Sequence, residues 1–500
     1  MSRCLPLTLA LLTTALLLAA PAAADAARGA ARPNVVVIMT DDQDFRSMPV
    51  LPKTRRLIGA RGTTFDQAIV NFPLCCPSRA TFYTGQYAHN HEVLWNTPPE
   101  GGYRKLDGDR TLPVWLRAAG YRTIHIGKYL NGYGEDRPTE VPPGWDDWYG
   151  GVDPSTYGYY NYTINHNGRL RTYGTAPSDY STDVYAGLAE TAIRSATRRD
   201  RPFFMSLAPL APHTAAAEAR ARVEGTPAVP APRHADRFAN TPLPRLPNFD
   251  EADISDKPGV QAFFPNLMTP GDIASLQDHY RGRMGSLLAI DDLVERVVRT
   301  LKRSGEYRNT VIVFTSDNGW ILGEHRLRDP MSFDGRATGV KYLPFEGSSR
   351  VPLVIAGPGF PRGRTVRGVA SNADLAPTIA DLANARATVG QDGVSLLKAA
   401  RDPSRLNRRG VLIQTAANPR NVPPYAAIRT ARYRYETTTN GTGVEGLYDL
   451  KRDRWELQSK HADPAYARIK AILVAALDRL RTCRAASCHA RVPRLPEPTR

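Results

Sequence analysis

The sequence predicts an α/β protein, in which helices cover both faces of a mostly parallel sheet, followed by a smaller C-terminal α+β domain with an antiparallel sheet. Short β-branched apolar runs alternate with helical patterns through most of the chain, and such alternation is typical of parallel sheets. Beyond residue 390, short strand patterns follow one another closely before a last helix. We therefore expect a large domain over residues 33–389 and a small one over residues 390–500.

Buried strands of the large domain are predicted from apolar runs that are too short for helices. These runs occupy residues 34–40, 122–126, 203–207, 310–315 and 351–356. Helical patterns occur at residues 111–119, 183–199, 273–303 and 374–384, and residues 215–259 are predicted to form a long surface excursion. In the small domain, strands are predicted at residues 411–414, 425–430, 433–438 and 445–449, and a helix at residues 464–481.

The N-terminus has the pattern of a secretory signal peptide. Arg3 precedes an apolar run over residues 5–20, and small residues precede Asp25. We expect residues 1–24 to be removed and the mature protein to be secreted. The run is short for a membrane span, and no later stretch is apolar enough to be one, so no membrane association is expected.

The cysteines that remain after removal of the signal peptide form two close pairs in the sequence. Outside the cell, Cys483 and Cys488 are expected to form a small disulfide loop. Cys75 and Cys76 then stay unpaired, and their spacing alone indicates nothing more than two buried thiols.

The formal net charge of +16 suits an anionic partner such as a sulfated or phosphorylated polymer. An Arg- and Ala-rich composition gives the same charge without any such partner. There is no Lys/Arg-rich block interleaved with aromatic residues, so no nucleic acid is expected as a partner.

Polar residues directly follow several of the predicted strands. Asp41 and Asp42 follow the first, and Asp317 and Asn318 follow the strand at residues 310–315. In parallel sheets ligands bind at the carboxyl edge, and this set of oxygen donors suits Ca²⁺, with Mg²⁺ as the less favoured ion. Taken singly, the first pair also reads as a helix N-cap and the second as a turn.

Basic residues and a histidine are expected to surround this ion: Arg79, Lys128, His213 and Lys341. Such a cluster holds the nonbridging oxygens of an anionic ester and protonates its leaving oxygen. The residues thus predict an exported, metal-dependent hydrolase of anionic esters. They do not choose between sulfate and phosphate, and they do not identify the nucleophile.

Four motifs then narrow the choice: CCPSR at residues 75–79, GYRTIHIGK at 120–128, TSDNG at 315–319 and KYLPFEGSSR at 341–350. Together they resemble the signatures of the type I, formylglycine-dependent sulfatases, over residues 33 to about 385. The resemblance implies the alkaline-phosphatase-like fold and a sulfuric ester hydrolase. It also implies that Cys75 is oxidised to formylglycine (3-oxoalanine) by a formylglycine-generating enzyme that reads C-x-P-x-R.

Finer features resemble the N-acetylglucosamine-6-sulfatases and heparan 6-O-sulfatases within that family. They include TGQYAHNH at residues 84–91, GKYLNGYG at 127–134, LGEHRL at 322–327 and LRTCRAASC at 480–488. The implied substrate is a sulfated amino sugar or glycosaminoglycan, with the 6-sulfate of N-acetylglucosamine as the favoured example. The segment FEGSSR at residues 345–350 is closer to the general family pattern.

The resemblance also implies roles for individual residues. The implied Ca²⁺ ligands are Asp41, Asp42, Asp317, Asn318 and an oxygen of modified Cys75. One hydroxyl of the aldehyde hydrate would attack sulfur, and the second would later expel sulfate. Arg79 would hold this hydrate, Lys128 and Lys341 would hold the sulfate oxygens, and His213 would protonate the leaving alcohol.

One position departs from the common family pattern. Many sulfatases have a histidine two residues after the lysine of the second signature, and Leu130 occupies that position here. His325 is a candidate for the base that this change leaves unassigned, whereas His89 and His91 are expected to line the sugar pocket. Any of the three also reads as a structural histidine.

Two other functions remain open from the sequence. A phosphoesterase or phosphonate hydrolase of the same fold would share the metal edge. A non-catalytic protein that binds polyanions would share the positive charge, and its binding would be strongly salt-dependent.

Overall fold

The computed structural model describes residues 32–198, 201–216, 224–329, 337–417, 423–489 and 491–499. The predicted signal peptide, residues 1–24, lies outside these ranges. The account that follows concerns the compact unit from Pro33 to Arg500.

The strands, numbered in chain order, are β1 (Asn34–Thr40), β2 (Gly62–Ile69), β3 (Arg122–Gly127), β4 (Asp147–Gly151), β5 (Thr163–His166), β6 (Arg169–Thr172), β7 (Phe203–Ala208), β8 (Ala215–Ala216), β9 (Glu224–Thr226), β10 (Thr310–Ser316), β11 (Arg350–Val351), β12 (Leu353–Ala356), β13 (Arg364–Ser371), β14 (Val411–Gln414), β15 (Tyr425–Arg429), β16 (Tyr433–Thr438) and β17 (Glu445–Asp449).

The α-helices are α1 (Pro52–Leu57), α2 (Cys75–Thr84), α3 (Ala88–His91), α4 (Leu112–Ala118), α5 (Ser181–Ala196), α6 (Pro258–Phe263), α7 (Pro270–Arg303), α8 (Glu346–Ser349), α9 (Leu375–Ala383), α10 (Leu396–Arg401) and α11 (Ala467–Leu480). Within the described ranges, none of them combines the length and the apolar composition needed to cross a bilayer.

The large sheet has the strand order β11-β2-β12-β10-β1-β7-β3-β4-β5-β6, and β13 pairs with β2. The strands β10, β1, β7, β3 and β4 run parallel to their neighbours in this series, which confirms the predicted mostly parallel sheet. Strands at both ends are antiparallel.

The predicted strand over residues 351–356 differs from the prediction in two respects. It is divided into β11 and β12 at Pro352, whose nitrogen has no proton to donate to a ladder. In addition, β12 runs antiparallel to both β10 and β2. This segment therefore lies in the outer part of the sheet, where strands run in both directions, and not in its parallel centre.

Both faces of the sheet are buried, because side chains alternate along each strand. Val36 and Ile38 of β1 pack in one core with apolar residues of α5 and α7, including Leu287. Val35 and Val37 pack in a second core with α2, α4 and α9, including Ile379. Complete burial of such side chains stabilises the fold by about 1.5–3 kcal/mol each.

The C-terminal strands form a separate antiparallel sheet in the order β14-β15-β16-β17. Helix α11 packs against it, with Leu473 and Leu477 in the same core as Ile428 and Tyr433. This agrees with the predicted α+β arrangement of the C-terminal region. The boundary between residues 389 and 390 remains a prediction.

A disulfide joins Cys483 to Cys488 after α11. Because the loop that it closes is small, we expect the double substitution Cys483→Ser, Cys488→Ser to lower the unfolding free energy by about 2 kcal/mol. Urea unfolding of the purified protein measures this change. A reductant should destabilise the wild type to the same extent and leave the double variant unaffected; equal stability of the two proteins would contradict the expectation.

Candidate active site

Loops from adjacent strands meet at the carboxyl edge of the parallel sheet. The register between β1 and β10 pairs Thr40 with Ser316, so Asp41 and Asp317 leave the sheet side by side. The backbone N–H of Asp42 donates a hydrogen bond of 3.0 Å to Asp317 Oδ1. Asp42 has a φ of +67°, a left-handed conformation that costs a non-glycine residue free energy. A carboxylate of one loop therefore holds the backbone of the other.

The next strands along the edge supply a lysine and a histidine. Lys128 directly follows β3, and its backbone N–H donates to Ala208 O at the end of β7 (2.8 Å). His213 lies in the loop after β7, where its carbonyl accepts a hydrogen bond of 2.8 Å from the hydroxyl of Tyr159. Both side chains are buried, with exposed fractions of 1% and 0%.

Cys75 is the first residue of helix α2, and Arg79 lies one turn further along the same helix. Side chains four residues apart project from the same face of a helix. The N-terminus of a helix also carries a partial positive charge. The start of α2 therefore brings the position-75 side chain to the carboxylates in a positive electrostatic environment.

Cys75 Sγ lies 3.4 Å from Asp41 Oδ1 and 4.0 Å from Asp42 Oδ1. Lys341 Nζ lies 3.1 Å from the same sulfur atom and donates to both carboxylate oxygens of Asp42 at 3.0 Å. Burial raises the pKa of the Cys75 thiol well above its ordinary value. An unmodified Cys75 is therefore a protonated thiol and a weak nucleophile.

The other cations of the cluster are paired with carboxylates. Lys128 Nζ donates to Asp41 Oδ2 at 2.5 Å. Arg79 Nε donates to Asp317 Oδ2 at 2.8 Å, and its Nη2 lies 3.5 Å from Asp41 Oδ2. Buried charges are tolerated only when they are paired and hydrogen-bonded in this way.

Electrostatic interactions divide the carboxylates into two kinds. Burial opposes ionisation of Asp41, but the charges of Lys128, His213 and Arg79 nevertheless hold its pKa well below the ordinary value. Burial and the nearby charge of Asp41 raise the pKa of Asp317 to about 6. Repulsion of this kind between crowded carboxylates is what a bound cation relieves.

The same cluster of charges shifts the pKa of His213 upward, whereas it shifts that of Asp41 downward. Burial would lower the pKa of its imidazole, but the carboxylates of Asp41 and Asp42 raise it above the ordinary value. Its Nδ1 lies 2.7 Å from Thr214 O, and its Nε2 lies 3.5 Å from Asp42 Oδ2. An N–H on Nδ1 satisfies the carbonyl, so Nε2 is the atom that faces the carboxylate cluster.

Several side chains of the cluster could hold a metal ion together. Ligand atoms of Asp41, Asp42, Cys75 and His213 all lie within 4.8 Å of one another. Asn318 donates through Nδ2 to Asp42 Oδ1 (2.5 Å), while its Oδ1 is buried and has no hydrogen-bond partner among the described residues. An orphaned amide oxygen beside carboxylates is the donor type that Ca²⁺ and Mg²⁺ prefer.

A cavity of about 200 Å³ opens beside the cluster. His213 and Lys341 lie in its wall, together with the aromatic side chains of Trp95, Tyr157 and Trp320. Aromatic walls with a few convergent polar groups are typical of small-molecule sites. The cavity therefore suits an organic ligand that presents an anionic group to the cluster.

The structure does not bring His325 into the cluster. Its Nδ1 lies 2.6 Å from Glu251 Oε2, its Nε2 lies 3.3 Å from Asn248 Nδ2, and its ring stacks on Phe345. Burial lowers the pKa of His325 to about 3. These contacts are those of a neutral structural histidine and give no support to a role as the base.

His89 and His91 are likewise occupied by contacts within the chain. Nδ1 of His89 accepts a hydrogen bond of 3.1 Å from the side-chain amide of Gln414, and its Nε2 donates to Cys483 O at 2.9 Å. The ring nitrogens of His91 contact Thr81 Oγ1 (3.0 Å) and the backbone N–H of Val93 (3.1 Å). Neither histidine lines the cavity described above, so the structure gives no support to their predicted place in a sugar pocket.

Most residues of the cavity wall were not predicted from the sequence, among them Tyr157 and Trp320. The ring of Tyr157 lies 5.3 Å from that of His213 and 4.6 Å from Lys128 Nζ. The ring of Trp320 lies 5.3 Å from Lys341 Nζ. Trp320 directly follows the motif TSDNG, so the sequence offers a way to predict that it lies near the site. Tyr157 begins a tyrosine-rich stretch in which the sequence does not distinguish one ring from the next.

Comparisons with known proteins agree with this geometry. The sulfatase family profile matches residues 33–385, and a profile described as "N-sulphoglucosamine sulphohydrolase, C-terminal" matches residues 337–483. The chain is 38% identical over 410 residues to N-acetylglucosamine-6-sulfatase of Homo sapiens, covering 79% of this chain and 69% of that protein. It is 34% identical over 527 aligned positions to an arylsulfatase of Volvox carteri, covering 95% and 79%.

A solved structure of a protein in complex with its substrate D-glucosamine-2-N,6-O-disulfate has the same fold. The TM-score is 0.72 at 24% identity, over 90% of this chain and 97% of that one. The family match spans well over half of the chain and includes each strand whose carboxyl end bears a residue of the cluster. The chain therefore belongs to the sulfatase family and is a sulfuric ester hydrolase.

Proposed function

We propose that this protein removes the 6-sulfate from a sulfated amino sugar, N-acetylglucosamine 6-sulfate or a glycosaminoglycan end that carries it. The observation that carries the proposal is the position of Cys75 at the start of α2, between Asp41 Oδ1 and Lys341 Nζ. The similarity to N-acetylglucosamine-6-sulfatases supports the choice of sugar.

Two groups complete this site when they are present. Ca²⁺, held by Asp41, Asp42, Asp317, Asn318 and the position-75 side chain, supplies positive charge that stabilises anionic oxygens. Formylglycine, made from Cys75 by a formylglycine-generating enzyme, supplies a hydrated aldehyde with one hydroxyl for attack on sulfur and a second for release of sulfate.

The lysines of the cluster bind the sulfate group. Lys128 pairs with Asp41, and Lys341 pairs with Asp42. Lys341 also lies in the cavity wall, where its ammonium can exchange part of its bonding to Asp42 for a sulfate oxygen. Preorganised cations of this kind stabilise charge that develops in the transition state.

His213 protonates the leaving alcohol of the sugar. Its Nε2 faces the cluster and its Nδ1 is held by Thr214 O, which orients the acid toward the cavity that His213 lines. Asp41 Oδ1 lies 3.4 Å from Cys75 Sγ, but the low pKa of Asp41 disfavours it as the proton acceptor, so the base for the opposite transfer stays unassigned. Arg79, fixed by Asp317, holds the position-75 side chain at the cluster.

We also propose that the protein acts outside the cell. Residues 1–24 have the pattern of a secretory signal, and an extracellular sulfatase homologue is among its relatives. The catalytic domain then spans residues 33–389, and the C-terminal subdomain spans residues 390–500.

Peptide mass spectrometry of the tryptic fragment that contains Cys75 tests the modification. The fragment should carry an aldehyde in place of the thiol. The modified protein should then release sulfate from N-acetylglucosamine 6-sulfate faster than from other sulfated monosaccharides. Faster turnover of an aryl phosphate than of an aryl sulfate would instead favour a phosphoesterase, and salt-sensitive heparin binding without turnover would favour a polyanion-binding protein.

Calcium binding gives a further prediction. Ca²⁺ added to chelator-treated protein should raise the melting temperature, since a ligand at 100 times its Kd stabilises a protein by about 2.7 kcal/mol. Asn318→Leu should remove most of this increase, because it deletes the orphaned oxygen donor. Asn165→Leu is the matched control: Asn165 is equally buried in β5, so this variant should melt lower but keep its response to Ca²⁺. An unchanged response in Asn318→Leu would contradict the proposed ligand set.

A further inference from the structure

Arg283 is a completely buried arginine in the middle of helix α7, behind the carboxylate cluster. Its Nη2 donates to the backbone carbonyl of Asp42 at 2.5 Å, and its Nη1 donates to the carbonyl of Pro212 at 3.1 Å. Its guanidinium lies 5.4 Å from the ring centroid of Trp320. A single side chain therefore contacts three different loops.

These are the loops that follow β1, β7 and β10, which are neighbours in the sheet. Asp42 belongs to the first loop, Pro212 directly precedes His213 in the second, and Trp320 follows Asn318 by two residues in the third. Asp42 is itself a residue of the cluster, and the other two contacts are one and two residues away from His213 and Asn318. The guanidinium thus fixes the distances between loops that the strand register alone does not set.

The bonding of Arg283 is unusual for a buried charge. Arg79 and Arg122 are both paired with carboxylates, whereas no carboxylate of the described residues forms an ion pair with Arg283. The carboxylates of Asp44, Asp42 and Asp41 act on Arg283 only through charge at a distance. Its hydrogen bonds among the described residues go to backbone carbonyls, and keeping a guanidinium from water in this way is costly. Fold stability therefore does not explain an arginine here.

We propose that Arg283 is a positioning residue that holds Asp42 and His213 at the spacing the reaction requires, a role that rests on the proposed function. A planar guanidinium donates to two carbonyls in different directions from one rigid fork. A lysine ammonium at the end of a flexible chain cannot span both. Through its contact with Trp320, Arg283 also positions a residue of the cavity wall.

Steady-state kinetics of Arg283→Lys on an aryl sulfate tests the proposal. We expect kcat to fall about 10- to 100-fold, as is typical when groups that orient a metal site or its ligands are lost. KM should change less than about threefold, because Lys128 and Lys341 still bind sulfate. Arg122→Lys is the matched control: Arg122 is also buried and pairs with Asp147 at the opposite end of β3. It should lose stability but keep both kinetic constants.

Calorimetric titration of chelator-treated protein with Ca²⁺ gives a second readout. Arg283→Lys should bind Ca²⁺ about 10-fold more weakly than the wild type, and Arg122→Lys should bind it equally well. The inference is overturned if Arg283→Lys matches the wild type in kcat and Ca²⁺ affinity, or if it matches Arg122→Lys in every respect. It is also overturned if neither Arg283→Lys nor Arg283→Gln folds, because Arg283 is then a determinant of the fold.

The two proposals fail in different ways. A wild type that carries formylglycine and binds Ca²⁺ but does not hydrolyse sulfate esters refutes the proposed function, and the Ca²⁺ titration still decides the role of Arg283. A wild type that neither hydrolyses sulfate esters nor binds Ca²⁺ refutes both.

Discussion

Cys75→Ala should lower kcat for sulfate esters by roughly 10⁵-fold or more, the loss typical of removing a catalytic nucleophile. Alanine cannot be converted to an aldehyde, so the position-75 side chain would have no hydroxyl to attack sulfur. Lys128 and Lys341, the lysines proposed to bind sulfate, remain, and we therefore expect the variant to bind substrate still. Release of inorganic sulfate from N-acetylglucosamine 6-sulfate, followed over hours at high enzyme concentration, measures the residual rate.

Cys76 provides the control for this experiment. It is the next residue of α2 and is as fully buried as Cys75, but it packs among apolar side chains of the core on that face of the sheet. Cys76→Ala should cost some stability through the lost volume and leave kcat within about twofold. If Cys75→Ala keeps more than about a hundredth of the wild-type kcat, Cys75 is not the source of the nucleophile.

His213→Gln should have the second largest effect, a loss of about 10²- to 10⁴-fold in kcat on a sugar sulfate, as is typical for a general acid. The loss should be much smaller on an aryl sulfate with an acidic phenol, because that leaving group departs without a proton. Comparing the two substrates therefore separates protonation from every other role of His213. Glutamine keeps a polar side chain of similar size facing Asp42.

His125 is the matched control for His213. It is also completely buried, on β3, and its ring stacks on Trp148 with Nε2 3.2 Å from Gly127 O. His125→Gln should lower stability without any dependence on the leaving group. Equal losses on sugar and aryl sulfates for His213→Gln would show that His213 acts through charge or metal binding, since His213 belongs to the group of donor atoms that could hold a metal ion.

The centre of the fold is readable from the sequence, because its strands are buried on both faces and appear as continuous apolar runs. The strands β1, β7 and β10 begin at the predicted residues and end within one residue of them. Strand β2, with the sequence GTTFDQAI, was not predicted, since its polar residues at Thr64, Asp66 and Gln67 face outward in part. Strand β13 was missed for the same reason, because exposed arginines interrupt its apolar pattern.

The residues of the site also differ in how well the sequence predicts them. Residues at the ends of buried strands, such as Asp41, Lys128 and Asp317, are predictable because the sheet edge brings them together. Side chains in loops are less so: His325 has a φ of +55° and turns toward Glu251, and no sequence pattern states that direction. Arg283 was missed for another reason, because a charged residue in a long helix is usually solvated and nothing in the sequence marks it as buried.

The burial of the segment CCPSR limits when Cys75 can be modified. Every residue from Cys75 to Arg79 is buried in the finished fold, so an enzyme that oxidises Cys75 has to reach it earlier. The segment is enclosed by Asp317 and Lys341, which are synthesised more than 200 residues later. Synthesis itself thus leaves an interval in which the thiol is accessible. If Cys75 is converted to formylglycine as proposed, a chain that folds before the oxidation keeps an inaccessible thiol, and only unfolding exposes that thiol again.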